Sequence, residues 1–182
     1  METDLKQRLS SDRVYLRQFT VEDHALLLEL DGDPDVMKYL SDSRPSSDAE
    51  VSETFKKIQR WHGIEDGKYG CWAAHLIENR EFIGWFHLRP LKKDLSNFKE
   101  LELGYRLKKI HWGRGLATEM SKRLIQEAFG TLKAETVWAT TMKGNVASQR
   151  VMQKCGLEFV RDDICAEFPG EDKHSVWYRI LS

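Results

Sequence analysis

The chain has 182 residues, of which 41% are hydrophobic and 31% are charged, and its formal net charge is −1. This composition is typical of one globular domain spanning residues 1–182, and the near-neutral charge provides no basic field for nucleic acid or an anionic membrane. No apolar run approaches the roughly 20 residues that span a bilayer, and Cys71, Cys155 and Cys165 lack the spacing of a disulfide framework or zinc site. We therefore expect a soluble, cytoplasmic protein that holds no metal.

The first third of the chain predicts a short strand followed by three helices. Thr20 is typical of an N-cap, and leucines at helical spacing follow it. Serines and an aspartate at residues 46–48 offer capping groups for a helix of about four turns that ends near His62. We expect the strand at residues 14–17 and the two earlier helices at residues 21–30 and 34–40.

From Gly70 onward the pattern changes to short β-rich runs separated by turns. A loop over residues 91–96 precedes the third of these runs, and a helical stripe begins at Gly113. The order of strands and helices predicts a mixed α+β domain built on one sheet. We expect strands at residues 71–77, 82–88, 101–107, 136–141, 157–162 and 175–181, and helices at residues 113–129 and 145–155.

A strand, a glycine turn and a helix follow one another between Glu102 and Glu119. Gly113 and Gly115 allow backbone amides to approach a ligand, and the start of a helix has unpaired N–H groups with a partial positive charge. This geometry suits a phosphate or pyrophosphate, although Gly-x-Gly before a helix is also typical of a simple tight turn. The segment lacks the Gly-Lys-Ser/Thr of a P-loop and the third glycine of a dinucleotide fingerprint, which weakens both of those alternatives.

A second motif covers residues 145–157, with the sequence Asn-Val-Ala-Ser-Gln-Arg-Val-Met-Gln-Lys-Cys-Gly-Leu. Asn145 is typical of an N-cap, and Gly156 is typical of a left-handed residue just beyond a helix. These residues therefore predict a helix with well-defined ends, whatever its function.

The two motifs, together with Glu-Leu-Gly-Tyr at residues 102–105, resemble the GNAT superfamily of N-acyltransferases over about residues 10–181. The superfamily's pyrophosphate turn has the form Arg/Gln-x-x-Gly-x-Gly/Ala, and Trp112 departs from its first position. Trp-Gly-x-Gly followed by Ala-Thr-Glu is similar to the branch that acetylates the N-termini of ribosomal proteins. The resemblance implies a single mixed, mostly antiparallel central sheet flanked by helices, with acetyl-CoA as the cofactor.

The resemblance also implies which residues hold the cofactor. A bulge at residues 105–107 would expose N–H groups to the reaction's oxyanion, and the amides of residues 113–118 would bind the pyrophosphate. Asn145 and Ser148 would contact the pantetheine and thiol region. The basic residues considered for the ribose phosphate are Arg114, Lys143 and Lys154. The expected cofactor-binding residues are Tyr105, Leu107, Trp112, Gly113, Arg114, Gly115, Leu116, Ala117, Thr118, Asn145, Ser148 and Lys154.

Acyl transfer to an amine needs a base for the amine proton and an acid for the departing thiolate. Glu102 is the candidate base because it begins the strand that leads to the turn, and the family often places a glutamate there. Met152 occupies the position at which many members place a tyrosine acid, so the resemblance makes Ser148 the candidate acid. Three histidines that titrate near neutrality remain alternative bases: His75, His87 and His111.

We therefore expect an acyl-CoA-dependent N-acetyltransferase in which a primary amine attacks acetyl-CoA directly within a ternary complex. A protein N-terminal α-amine is the first candidate acceptor. A small-molecule amine, or a non-catalytic module that only binds acyl-CoA, are the alternatives, and the sequence leaves both monomer and homodimer open.

Overall fold

The computed structural model describes residues 7–40, 44–62, 67–91, 96–164 and 174–182. Within these residues, eight strands form one sheet in the order β1-β2-β3-β4-β5-β6-β8-β7. Neighbouring strands are antiparallel except β5 and β6, which are parallel, and this confirms the expected mixed, mostly antiparallel sheet. The strands are β1 (Gln7–Ser10), β2 (Val14–Gln18), β3 (Gly70–Leu76), β4 (Phe82–Pro90), β5 (Glu100–Leu107), β6 (Thr136–Met142), β7 (Glu158–Ile164) and β8 (His174–Leu181).

Helices pack on both faces of the sheet, because side chains alternate between the two faces along each strand. One core joins the sheet to α4 through Leu116, Met120 and Leu124, and a second core joins the opposite face to α1 and α3. The helices are α1 (His24–Asp31), α2 (Pro34–Met37), α3 (Asp48–His62), α4 (Leu116–Gly130) and α5 (Val146–Lys154).

Several predicted boundaries differ from the structure. The strand β1 was not predicted, residues 21–23 form a 3-10 helix before α1, and α2 ends at Met37 instead of residue 40. The helix predicted from Gly113 begins at Leu116, because Gly113 and Gly115 have left-handed φ values of 74° and 80° that an α-helix does not contain. Most of the predicted loop at 91–96, and Cys165, lie outside the described residues.

The strands β5 and β6 pair over only three residues and then separate. Their parallel register joins Glu100–Glu102 to residues 136–138, although both strands continue beyond this point. The expected bulge at residues 105–107 is wrong, because the register between β4 and β5 runs from Leu101 to Leu107 without a shift. The gap therefore arises from the early end of the β5–β6 pairing.

Gly84 allows β4 to lie close to β5 beside this gap. Its φ is 138°, and an added Cβ would overlap the carbonyl oxygen of Arg106 and lie 2.8 Å from the Cα of Leu107. A side chain at this position would push the end of β5 away from β4.

We predict that Gly84→Ala lowers the free energy of unfolding by about 2–4 kcal/mol, because the methyl group meets backbone that has nowhere to move. Urea denaturation followed by circular dichroism measures this change. Gly130→Ala is the matched control, since a Cβ there contacts nothing within 4 Å, and it should leave stability equal or slightly higher. Equal stability of the Gly84→Ala variant and the wild type would show that β5 can shift freely.

Candidate active site

A cavity of about 550 Å³ opens where β5 and β6 separate. Its walls come from β5 beyond Glu102, the turn before α4, the end of β6 and the first turns of α5. Both sequence motifs therefore meet in one place, although they are separated by the whole of α4 and β6.

The glycine turn faces this cavity with bare backbone. A Cβ added to Gly113 would meet nothing within 4 Å, and one added to Gly115 would meet only the Arg13 Nη2 atom at 3.6 Å. The first amides of α4 follow directly, and they have no partner within the helix. Because open space, N–H donors and the positive end of the helix dipole coincide, the corner fits a diphosphate.

Arg13 holds the turn in place from the N-terminal hairpin. Its Nη1 atom donates to the carbonyl oxygen of Arg114 at 3.1 Å, and its Nη2 atom lies 2.6 Å from the Glu119 carboxylate. The Arg114 side chain is exposed and does not line the cavity, and its Nη1 atom contacts His111 Nδ1 at 3.0 Å. The expectation that Arg114 contacts the cofactor therefore rests on its backbone amide alone. The other expected cofactor residues line the cavity, whereas Lys143, one of the basic residues considered, is paired with Asp162 outside it.

The first turn of α5 places Ser148 against Tyr105. The Asn145 Oδ1 atom accepts a hydrogen bond from the Ser148 amide at 3.2 Å, as its predicted N-cap role requires. The Tyr105 hydroxyl donates to Ser148 Oγ at 3.4 Å, and burial raises the pKa of Tyr105 to about 12. The phenol therefore stays protonated at neutral pH and acts as a donor to the serine.

Glu102 is buried at the inner wall of the cavity. Its Oε2 atom lies 3.1 Å from Arg89 Nη2, whereas its Oε1 atom has no hydrogen bond among the described residues. Of the three histidines considered, His87 and His111 also line the cavity. His75 does not: its Nδ1 atom lies 3.0 Å from the Arg80 carbonyl oxygen, and burial lowers its pKa.

Arg106 and Trp85 form the neck between this cavity and a second one of about 440 Å³ beside α3. The Arg106 guanidinium lies 5.1 Å from the Trp85 ring and 2.5 Å from the Asp31 carboxylate. Sequence reasoning missed Arg106, although its place on the same face of β5 as Glu102 was a usable signal.

Among the described residues, each carboxylate that lines either cavity is paired with a cation. This leaves the cavity walls with little net negative charge. The pairs are Asp31 with Arg106, Asp35 with Lys109, Glu50 with Arg44, Glu53 with Lys56, and Glu102 with Arg89.

Two strands that separate beside the open start of a helix are the arrangement expected of an acyltransferase that binds coenzyme A. Residues 13–158 match the acetyltransferase (GNAT) domain, and the chain belongs to this family, whose members use acetyl-CoA. The chain is 30% identical over 156 residues to the FsC-acetyl coenzyme A-N(2)-transacetylase of Aspergillus fumigatus, with 84% of this chain covered but only 65% of that protein.

Solved structures show the same fold. A GNAT-family acetyltransferase from Bacillus anthracis has a TM-score of 0.79 at 21% identity, covering 95% of this chain and 97% of its own. The ribosomal L7/L12 alpha-N-protein acetyltransferase RimL, solved with coenzyme A, has a TM-score of 0.75 at 16% identity, covering 94% and 95%. Among the described residues, no helix is long and apolar enough to cross a bilayer.

We predict that Gly115→Glu weakens acetyl-CoA binding by at least about 100-fold, because the carboxylate repels a diphosphate and the left-handed backbone disfavours a side chain. Isothermal titration calorimetry measures the change. Gly130→Glu adds the same charge at the far end of α4 and should keep the wild-type affinity. An unchanged dissociation constant for Gly115→Glu would contradict the assignment of this turn to the diphosphate.

Proposed function

We propose that this protein transfers the acetyl group of acetyl-CoA to the α-amine of a protein N-terminus. The observation that supports this acceptor is the pairing of each described carboxylate that lines the two cavities. A polyamine carries several ammonium groups, and its binding calls for carboxylates that are not already neutralised. An N-terminal segment presents one amine, which a single carboxylate oxygen can receive.

The chemistry of the acceptor supports the same choice. An α-amine has a pKa near 7.7–8.0, so a useful fraction is neutral at pH 7, whereas a lysine-like amine near 10.4 is almost fully charged. Glu102 offers one oxygen for the remaining proton. The structural neighbour RimL, an alpha-N-protein acetyltransferase, also favours this acceptor.

A small amine is the second candidate acceptor. The Aspergillus fumigatus relative supports it, because that protein is named for transfer to an N(2) position. A module that only binds acyl-CoA is less well supported, since Tyr105 and Ser148 together supply a proton donor despite the methionine at residue 152.

The proposed reaction forms an N–C bond and breaks the C–S bond of the thioester. Glu102 Oε1 takes the amine proton, and Ser148 gives its hydroxyl proton to the departing sulfur while Tyr105 donates to the serine oxygen. Backbone N–H groups of β5 beyond Glu102 face a gap in which they have no β6 partner, and these would stabilise the oxyanion.

An acceptor panel tests the proposed function. Incubation with acetyl-CoA and equal concentrations of N-terminal peptides, spermidine, lysine and other small amines should give acetylated peptide as the main product by mass spectrometry. Peptides with a blocked α-amine are the control and should remain unmodified. A product formed mainly from a small amine would transfer the assignment to the second candidate.

The two proton-transfer groups predict different pH behaviour. Glu102→Gln should lower kcat at pH 7 by about 100-fold and recover in part at pH 9, because more of the α-amine is then neutral. Ser148→Ala should lower kcat by about 10-fold or more across this range at nearly constant acetyl-CoA affinity. Steady-state kinetics measures kcat for both variants across this pH range, and calorimetry measures their acetyl-CoA affinity. Unchanged turnover in the Ser148→Ala variant would assign the acid to another group or to water.

A further inference from the structure

A row of side chains crosses the sheet on the face that carries Glu102. Direct register pairs join neighbouring strands along this row, so its members point to the same side. Their contacts agree: Trp138 Nε1 donates to Glu100 at 3.2 Å, and the Arg179 guanidinium lies 5.5 Å from the Trp138 ring. The row consists of Arg89, Glu102, Trp138, Arg179 and Glu158.

Arg179 differs from the other stacked arginines of this region. On this face of the sheet, four of the described arginines lie over indole rings, and three of them also pair with a carboxylate. Arg179 is exposed and has no ion pair within 4.0 Å among the described residues, although Glu158 is its register partner. The paired examples are Arg89 on Trp61 with Glu102, Arg106 on Trp85 with Asp31, and Arg161 on Trp177 with Asp163.

Trp138 supports Arg179 as a fixed platform. The indole is buried, its N–H is satisfied by Glu100, and the ring packs edge-on against Trp177 at 6.2 Å. Stacking holds a guanidinium plane while its N–H edge stays available to a carboxylate. This edge is therefore preorganised to accept an anionic group.

The distance between neighbouring strands gives the separation of Arg179 from the proposed position of the reacting amine. Neighbouring strands lie about 4.8 Å apart, so two steps from β5 to β8 place Arg179 about 10 Å from Glu102. An extended peptide advances about 3.3 Å per residue. An acceptor peptide with its α-amine at Glu102 would cross Trp138. Its second or third side chain would then reach Arg179.

We propose that Arg179, stacked on Trp138, binds an acidic side chain at the second or third position of the acceptor and so selects acidic N-termini. This inference rests on the proposed function, because it assumes a peptide acceptor. The row then has a carboxylate oxygen for the amine on one side of Trp138 and a guanidinium for the acidic side chain on the other. A lysine at the same position would meet a like charge.

Hexapeptides with amidated C-termini test the proposal, because only their side chains then carry carboxylates. In the first series the second residue is glutamate, glutamine or lysine. In the second series the third residue is varied in the same way. In one series the wild-type kcat/KM should be about 10-fold higher for glutamate than for glutamine, and added salt should reduce this ratio. Arg179→Gln should abolish the preference, and Arg179→Glu should reverse it in favour of lysine.

Arg161→Gln is the matched control, since Arg161 is also stacked on a tryptophan but is already paired with Asp163. It should keep the wild-type preference for glutamate. Equal kcat/KM values for glutamate and glutamine peptides, or equal losses in the Arg161 and Arg179 variants, would overturn the role of Arg179 and leave the proposed function standing. Acetylation of small amines with no peptide product would overturn both.

Discussion

The site depends on one feature of the sheet, the early end of the parallel pairing between β5 and β6. Pairing stops at Glu102 and Trp138, and both strands then continue without each other. This leaves backbone groups of β5 without a β6 partner, and such groups are tolerated inside a fold where a ligand or water can satisfy them. The gap opens toward the α4 turn on one face and toward Glu102 on the other. On the proposed function, the two reactants would therefore meet in this gap from opposite sides of one sheet.

Recognition of a diphosphate by backbone would explain why the turn tolerates a departure from the family motif. The donors would be peptide N–H groups, so the first motif position need not supply a charge. Trp112 instead ties the turn to the sheet, because its Nε1 atom donates to the Leu107 carbonyl oxygen at 2.8 Å. Arg13 fixes the other side of the turn through Arg114 and Glu119. The turn is thus held from two sides before any ligand arrives.

The sequence predicted the features that depend on neighbouring residues alone, namely the helix caps and the glycine turn. Asn145 and Gly156 have the cap geometries expected from their residue types, and the glycine turn lies where the motif placed it. Contacts between distant residues were not predictable in this way. Tyr105 and Ser148 are 43 residues apart, and Arg106 and Asp31 are 75 apart. The bulge expected at residues 105–107 was wrong for the same reason, since strand separation depends on where β6 pairs and not on the sequence of β5 alone.

The charge arrangement separates binding of the amine from choice of the acceptor. Paired carboxylates line both cavities, so their walls exert little attraction on cations in general. On the proposed function, an acceptor would then be selected by what it offers beyond its amine, and four stacked arginines lie on the same face of the sheet as Glu102. Three of these arginines are already engaged by the protein's own carboxylates, and two of the three pairs position the neck and Glu102. Arg179 has no such partner among the described residues. The other arginine–tryptophan pairs on this face are structural. The Arg179–Trp138 pair is therefore the one proposed for recognition of the acceptor.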